Sequence, residues 1–205
     1  MFWVILNPDY FTDAGYHITW SYYFASLLFV LASVTDFFDG YIARENGDID
    51  WLNDANKVVP EGEDCGFFAF MDSVDILVMG RNTFEKVLSF GQWPYGHKPV
   101  IVLSSNRIEI PESLPETVTW SSESPSELSD RLVSEGVKRI YVDGGVTIQR
   151  FLAEGLIKDI TITNIPVILG SGIPLFSSVA EDISLRHIET KTYDFGFVQS
   201  TYEVE

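Results

Sequence analysis

The sequence predicts a single α/β domain with a mostly parallel central sheet and antiparallel strands at its C-terminal edge. Between residues 74 and 154, short β-branched and aromatic runs alternate with helical patterns, which is typical of parallel strands joined by helices. From residue 157 onward the pattern changes to a succession of strand-like segments, which favours antiparallel pairing. With 205 residues, of which 46% are hydrophobic, the chain is long enough to bury the core of one such domain.

The individual elements have local signals of their own. A short helix is predicted to begin at Cys65 with Asp64 as its N-cap. Ser124, Pro125 and Glu127 form the capping-box pattern of another helix N-terminus. The predicted order is a helix over 65–71, a strand over 74–79, a helix from 81, strands over 98–104 and 118–120, a helix over 124–134, a strand around 142, a helix over 146–154, and strands over 157–167, 183–192 and 195–203, the last two joined by a hairpin.

The N-terminal segment does not fit this pattern. Residues 1–26 are predicted to form an atypical extension, and residues 27–205 the folded domain. Residues 20–34 are almost wholly apolar, but this run is shorter than the roughly 20 residues that a membrane helix needs, and no basic region typical of a signal peptide precedes it. We therefore expect a core helix or a buried first strand over 27–33, with a membrane anchor as the alternative.

The charge of the chain limits its partners. A formal net charge of −17 makes nucleic acid and anionic lipid unfavourable partners, because both are themselves negatively charged. An anionic small ligand would need a local cluster of backbone amides and arginines. The one cysteine of the sequence, Cys65, cannot form an internal disulfide and is expected to be a buried, inert thiol. This cysteine usage is typical of a reducing compartment, so we expect a cytoplasmic protein.

Three predicted strands in the middle of the chain end in turns that suit an anion. These turns are Met79–Thr83, Leu103–Arg107 and Asp143–Thr147. Because the carboxyl ends of parallel strands meet at one edge of a sheet, the three turns are expected to lie together. Glycines permit close approach of a ligand, and the free amides of a helix N-terminus favour phosphate. The sequence therefore predicts a ligand with several phosphates, such as a dinucleotide. The alternative is a Gly144–Gly145 turn that needs glycine only for its backbone angles.

The usual dinucleotide and nucleotide motifs, G-x-G-x-x-G and the P-loop, are absent from the sequence. From about Asp39 to the C-terminus, however, the chain resembles the dihydrofolate reductase superfamily. It is most similar to the branch that contains the reductase domain of the riboflavin-pathway deaminase-reductase. The segments that carry the resemblance are DGYIARENGDIDWL at 39–52, VMGRNTFE at 78–85, KPVIVLSS at 98–105, YVDGGVTIQRFLAEGLIKDITIT at 141–163 and PVILGSGIPLF at 166–176.

The resemblance implies a dihydrofolate-reductase-like three-layer sandwich and an NADPH-dependent reductase. It implies hydride transfer to a pterin-like or ribosylamino-pyrimidine substrate, a cis peptide between Gly144 and Gly145, and, through the long terminal strands, a possible homodimer. Arg81, Ser104 and Ser105 match the positions near the 2′-phosphate. The cofactor-binding residues carried over from the family are Ile42, Gly80, Arg81, Asn82, Thr83, Leu103, Ser104, Ser105, Asp143, Gly144, Gly145, Val146 and Thr147.

The resemblance also implies a catalytic carboxylate and a substrate pocket. Asp64 falls where dihydrofolate reductases keep the carboxylate that binds the pterin and helps deliver a proton, and an apolar environment would raise the pKa of such a group. The alternative is that Asp64 only caps the following helix. The residues expected to bind substrate are Asp39, for which a turn role is the alternative, and Trp51, Phe67 and Phe68.

Residues 20–44 also resemble a different family, the membrane-embedded CDP-alcohol phosphatidyltransferases. The second half of that family's metal-binding motif is absent, since Asn53 stands where the motif has glycine, so we expect no metal site. The segment between Ser33 and Asp39 is longer than the dihydrofolate reductase family pattern allows, which alters the predicted first strand. An alternative is therefore a nucleotide-binding protein that keeps the phosphate site but has lost turnover. A membrane transferase is the third interpretation. The residues that match the first half of the motif are Asp36, Asp39, Gly40, Ala43 and Arg44.

Overall fold

The computed structural model describes residues 34–36, 41–43, 50–176 and 181–205. The helices are α1 (Asp50–Ala55), α2 (Phe67–Asp72), α3 (Arg81–Ser89), α4 (Pro125–Ser134) and α5 (Gly145–Ala153), with a 3-10 turn at Asn56–Val58. The strands are β1 (Val34–Asp36), β2 (Tyr41–Ala43), β3 (Ile76–Gly80), β4 (Val100–Leu103), β5 (Val118–Ser121), β6 (Ile140–Asp143), β7 (Asp159–Ile165), β8 (Ile173–Pro174), β9 (Leu185–Thr192) and β10 (Val198–Val204).

The middle of the chain forms a four-stranded parallel sheet in the order β5-β4-β3-β6. Helix α3 joins β3 to β4 and helix α4 joins β5 to β6, whereas a loop over 104–117 joins β4 to β5. Each connection is long enough for the chain to return across the sheet, as parallel pairing requires. The register places Gly80 opposite Leu103 and Met79 opposite Asp143. The predicted α/β class and its parallel sheet are confirmed.

The C-terminal strands form a second sheet in the order β1-β7-β10-β9. In it β1 runs parallel to β7, whereas β7, β10 and β9 pair antiparallel. The predicted hairpin is present: the Tyr193 N–H donates to the Phe197 carbonyl and the Gly196 N–H to the Tyr193 carbonyl. The described residues thus contain two four-stranded sheets and the small β2–β8 pair, rather than one continuous sheet. A short hairpin connection allows only antiparallel pairing, so the last strands build an antiparallel unit.

Helices cover both faces of the parallel sheet. Because side chains alternate along a strand, Leu77 and Met79 of β3 pack on one face, while Ile76 and Val78 pack on the other. Helices α2 and α3 cover the first face, and α4 and α5 cover the second. The predicted three-layer arrangement is therefore confirmed, and the two faces of the sheet carry separate hydrophobic clusters.

The predicted capping box of α4 is formed. The Glu127 N–H donates to Ser124 Oγ at 3.3 Å, and the Ser124 N–H donates to Glu127 Oε2 at 2.9 Å. These two hydrogen bonds satisfy amides that have no partner within the helix. Helix α4 starts at Pro125 because this local signal fixes its N-terminus.

Strand β9 is the terminal strand of the second sheet, and every one of its residues is exposed. Among the described residues no strand pairs with the outer edge of β9. An edge of this kind can pair with another chain, while the homodimer itself stays a prediction. No helix among the described residues is long and apolar enough to cross a membrane. The predicted strand over 27–33, the domain boundary at residue 26 and Asp39 lie outside the described residues.

Candidate cofactor site

The three predicted anion-binding turns lie next to one another at one edge of the parallel sheet. Strand β3 is flanked by β4 on one side and by β6 on the other. Gly80, which ends β3, is paired with Leu103, which ends β4. Met79 is paired with Asp143, which ends β6. The carboxyl ends of the three strands are thus level, and the turn that follows each of them starts at the same edge.

The turns after β3 and β6 are interlocked through two glycines and two threonines. A Cβ atom at Gly80 would lie 2.5 Å from Thr147 Oγ1, and a Cβ atom at Gly144 would collide with Thr83 Oγ1. Thr83 belongs to the first turn of α3 and Thr147 to the first turn of α5. The absence of side chains at the two glycines therefore lets the N-termini of two helices lie side by side, where their free amides favour an anion.

Gly144 has φ 93° and ψ 129°, a conformation that side chains rarely adopt, and α5 begins at the next residue, Gly145. The peptide bonds of the described residues are all trans, so the expected cis peptide between these two glycines is not present. The positive φ of Gly144 makes the reversal from strand to helix. Val146, another predicted cofactor residue, has an exposed side chain in the first turn of α5.

The turn after β4 is held by its own hydrogen bonds. Ser104 Oγ accepts the N–H of Asn106 at 3.3 Å, and the indole N–H of Trp120 donates to the Ser104 carbonyl at 3.1 Å. A groove of about 730 Å³ lies beside this turn, and Arg107 and Trp120 are among the residues that line it. Ser105 is exposed. This turn therefore has a defined shape and borders an open groove.

Arg81 and Asn82 are exposed at the N-terminus of α3. The Arg81 Nε donates to Glu85 Oε1 at 2.7 Å, an ion pair one helical turn apart. A pair this exposed contributes little to stability, so Arg81 is free to exchange Glu85 for a stronger anionic partner. Arg81 thus follows Gly80 directly at the N-terminus of α3, and its role at the 2′-phosphate stays a prediction.

Asp143 differs from the other residues of the site because it is a buried acid. It is 2% exposed, and burial raises its pKa to about 7, although the Gly144 N–H and the Tyr95 hydroxyl act in the opposite direction. The Tyr95 hydroxyl lies beside the carboxyl without meeting the geometry of a hydrogen bond. Asp143 Oδ2 and the hydroxyls of Tyr95 and Tyr141 are all buried and make no hydrogen bond. Sequence reasoning missed the two tyrosines, although the alternation of Tyr141 and Asp143 along β6 could have indicated a shared face.

Helix α2 begins at Phe67 with Gly66 as its N-cap, so the predicted start at Cys65 with Asp64 as N-cap is wrong by two residues. Asp64 instead holds backbone amides around this helix start. Its Oδ1 accepts the N–H of Gly66 and its Oδ2 accepts the N–H of Phe68, both at 2.9 Å, just before and within the first turn of α2. These contacts are those of the capping alternative, and the catalytic role stays a prediction. The neighbouring Cys65 is buried, and burial raises the pKa of its thiol to about 12, which leaves the thiol protonated and unreactive.

The structure separates the predicted substrate residues. Phe67 is buried on the face of the sheet that also carries Tyr141, and the rings of Phe67 and Phe68 are 5.6 Å apart. Trp51 packs in a different cluster, with Phe197 among its members. Ile42 is the middle residue of β2, and the residues on either side of it, Tyr41 and Ala43, pair with β8. The aromatic residues of α2 are thus on the Asp143 face of the sheet, whereas Trp51 packs against the C-terminal strands.

The comparison with protein families agrees with this geometry. The model of the RibD C-terminal domain matches residues 29–198. The chain belongs to the RibD C-terminal domain family. The RibD-type match supports a reductase-like role and contains all three turns. A second model, that of the CDP-alcohol phosphatidyltransferases, matches residues 1–49. Among the described residues no group of histidine, cysteine, aspartate or glutamate is arranged to hold a metal ion.

Two curated relatives come from Bacillus subtilis. The uncharacterized protein YwjB is 38% identical over 160 residues, which cover 76% of this chain and 86% of YwjB. The uncharacterized protein YyaP is 29% identical over 180 residues, which cover 80% of this chain and 88% of YyaP. The similarity extends over most of each protein, so these RibD-type relatives share the domain described above.

Solved structures show the same RibD-type fold. A putative riboflavin biosynthesis protein from Shewanella sp. PV-4 superposes with a TM-score of 0.76 at 40% identity, covering 84% of this chain and 96% of that chain. A deaminase/5-amino-6-(5-phosphoribosylamino)uracil reductase from Thermotoga maritima superposes with a TM-score of 0.58 at 16% identity, covering 84% of this chain and 55% of that chain. The second likeness extends to the fold alone.

Replacing Gly80 with alanine is expected to destabilise the protein by about 1–3 kcal/mol through overpacking against Thr147 Oγ1. Gly80 has φ −79°, which alanine tolerates, so the cost is steric rather than conformational. Adding Thr147→Ala removes the colliding oxygen and should recover part of the loss, whereas adding Thr147→Ser keeps that oxygen and should not. Urea unfolding of the single and double variants measures this. Equal stabilities of the two double variants would show that the turns are not interlocked as described.

Proposed function

We propose that the chain is an NADPH-dependent reductase that transfers hydride to a heterocyclic substrate. The observation that carries the proposal is the pair of interlocked glycine turns, Gly80 with Thr147 and Gly144 with Thr83, at the carboxyl edge of a parallel sheet. In open α/β sheets this edge is where ligands bind. Membership of the RibD C-terminal domain family supports the same activity.

The residues present fit a phosphorylated dinucleotide. At Gly80 and Gly144 a Cβ atom would collide with Thr147 Oγ1 and Thr83 Oγ1, so the glycines allow the two helix N-termini to lie close enough to bind one ligand together. The amides of Gly144–Thr147 would hold the pyrophosphate, as helix N-termini do elsewhere. Arg81 and Ser104–Ser105 would hold the 2′-phosphate, and the groove beside the Ser104 turn would accept the adenosine end.

The bound cofactor supplies the hydride, while the protein binds and orients the two reactants. The first turns of α3 and α5 contribute partial positive charge at the phosphates, which matters because the protein as a whole carries −17. Phe67 and the other apolar residues of α2 cover the face of the sheet next to Asp143 and keep water from it. The substrate is proposed to lie at the carboxyl ends of β3 and β6.

The substrate proposed is a ribosylamino-pyrimidine or a pterin. The name of the Thermotoga maritima protein, a deaminase/5-amino-6-(5-phosphoribosylamino)uracil reductase, supports the pyrimidine. The test is oxidation of NADPH in the presence of 5-amino-6-(5-phosphoribosylamino)uracil and, separately, of dihydrofolate. Turnover with one of the two supports a reductase. Tight NADPH binding without turnover of either favours the alternative, a nucleotide-binding protein of the same fold that has lost catalysis.

Arg81→Gln is expected to weaken NADPH binding about fivefold and to leave NADH binding unchanged, because only NADPH carries the 2′-phosphate. Arg150→Gln, an equal charge change at the other end of α5, is the matched control and should alter neither affinity. Quenching of tryptophan fluorescence by each nucleotide measures the dissociation constants. A parallel loss of NADH affinity would remove Arg81 from the 2′-phosphate site.

A further inference from the structure

A buried polar group lies directly behind the glycine turn of β6. It consists of Asp143, Tyr141 and Tyr95, and we call it the Asp143 group. Asp143 is 2% exposed, Tyr95 6% and Tyr141 8%. Tyr141 and Asp143 are two residues apart on β6 and therefore point to the same face of the sheet. Tyr95 comes from the loop between α3 and β4, so the group joins two separate parts of the chain.

The surroundings of the Asp143 group are aromatic. Phe70 of α2 contacts Tyr141 at a ring distance of 5.0 Å, and Trp93 contacts Tyr95 at 5.1 Å. The titratable groups that face Asp143 among the described residues are the hydroxyls of Tyr95 and Tyr141. Burial raises the pKa of both tyrosines, so neither carries a charge near neutral pH. The carboxyl of Asp143 thus has uncharged neighbours.

The Asp143 carboxyl also lies next to the proposed phosphate site. Asp143 immediately precedes Gly144, the residue whose turn opens α5, and the Gly144 N–H is close enough to lower the pKa of the carboxyl. An ionised carboxylate here places a negative charge beside the amides that would hold a pyrophosphate. A protonated carboxyl removes that charge. Burial raises the pKa of Asp143 to about 7, so both forms are populated near neutral pH.

We propose that protonated Asp143 is a positioning residue for the Gly144–Gly145 turn, and that binding of the anionic dinucleotide takes up a proton at this carboxyl. The inference rests on the proposed function. The proton comes from solvent, forms an O–H bond on Asp143 when the dinucleotide binds, and returns to solvent when the dinucleotide leaves. No other bond changes. The unpartnered hydroxyl oxygen of Tyr141 is available as an acceptor for the O–H of the protonated carboxyl.

The first measurement is the dissociation constant of NADPH between about pH 6 and pH 8.5 for the wild type, Asp143→Asn and Asp130→Asn. Asparagine imitates the protonated carboxyl, and Asp130 is an exposed carboxylate on α4 that provides the same change of charge away from the site. We expect wild-type affinity to fall relative to Asp143→Asn by about tenfold as the pH rises across this range. Asp130→Asn should follow the wild type. The 2′-phosphate of NADPH also titrates in this range, but it affects all three proteins equally, so it cancels when their dissociation constants are compared.

The second measurement is the number of protons taken up on NADPH binding, from calorimetry in buffers of different ionisation enthalpy. The wild type should take up more protons than Asp143→Asn near pH 7.5. Tyr95→Phe, a mild change, removes a hydroxyl that lowers the pKa of Asp143, so its loss of affinity should begin at higher pH than in the wild type. If NADPH binds, and if the wild type, Asp143→Asn and Tyr95→Phe share one pH dependence of affinity and one proton uptake, the inference is wrong and the reductase proposal stands. If NADPH binds none of them, both are wrong.

Discussion

Asp143→Asn is expected to stabilise the protein at pH 8 and to remove the largest single contribution to the pH dependence of unfolding between about pH 4 and pH 7. The pKa of Asp143 is raised by burial from 3.8 to about 7. The protonated carboxyl therefore contributes its full stability below pH 3.8, the pKa in the unfolded chain. This contribution is lost as the pH rises through about 7, the pKa in the folded protein. A shift of about three pH units corresponds to roughly 4 kcal/mol.

The comparison between variant and wild type isolates this contribution. Arg131 and Ser121 lower the pKa of Glu123 to about 2, and backbone amides lower the pKa of Asp75. These two carboxylates make the folded protein more stable as the pH rises, whereas Asp143 makes it less stable. Both are unchanged in Asp143→Asn. The free energy of unfolding in urea, measured at several pH values for the wild type, Asp143→Asn and Asp130→Asn, gives the difference directly. A constant difference between wild type and Asp143→Asn at every pH would contradict the buried, titrating carboxyl.

Gly144→Ala is expected to be the most damaging single glycine replacement at the site. The new side chain meets two penalties: the backbone has φ 93°, and the Cβ atom collides with Thr83 Oγ1. Gly136 is the matched control, since it has φ 89° and open space around the position of a Cβ atom. Gly136→Ala should cost about 1–2 kcal/mol from the backbone alone. Gly144→Ala should cost about 2 kcal/mol more through overpacking and should also weaken NADPH binding more than tenfold.

Thr83→Ala tests the origin of that difference. It removes the colliding oxygen, and the remaining Thr83 Cβ would lie 3.4 Å from the new methyl group, an ordinary contact. The double variant Gly144→Ala with Thr83→Ala should therefore lose about as much stability as Gly136→Ala does. Thermal or urea unfolding gives the stabilities, and fluorescence quenching gives the affinities. Equal costs for the two glycine replacements would mean that the turn relaxes and that its close packing is not required.

Much of the fold could be predicted because its signals are local. The capping box at Ser124 fixed the start of α4, and the change from a β-branched run to glycine located the ends of β3 and β6. The prediction that the three turns share one edge was also correct, since β3, β4 and β6 run parallel and so end on the same side. The roles of the individual site residues in binding stay predictions.

The acid chemistry of the site was not predictable in the same way. Position along the chain pointed to Asp64, but its carboxylate oxygens accept two backbone N–H groups at the start of α2. The buried acid is Asp143, and its environment includes Tyr95, which lies nearly fifty residues earlier in the sequence. Nothing in the local sequence reports how far a side chain is removed from water.

The sequence by itself determined the type and order of most strands and helices from residue 65 onward, which strands run parallel, and which glycines stand at the turns, because capping, periodicity and chain connection act over a few residues. Only the tertiary structure decided that Thr83 and Thr147 fill the space above the two glycines and that Asp143 is enclosed with two tyrosines. Both features depend on packing between segments distant in sequence, and burial of this kind is what sets the pKa of a carboxyl.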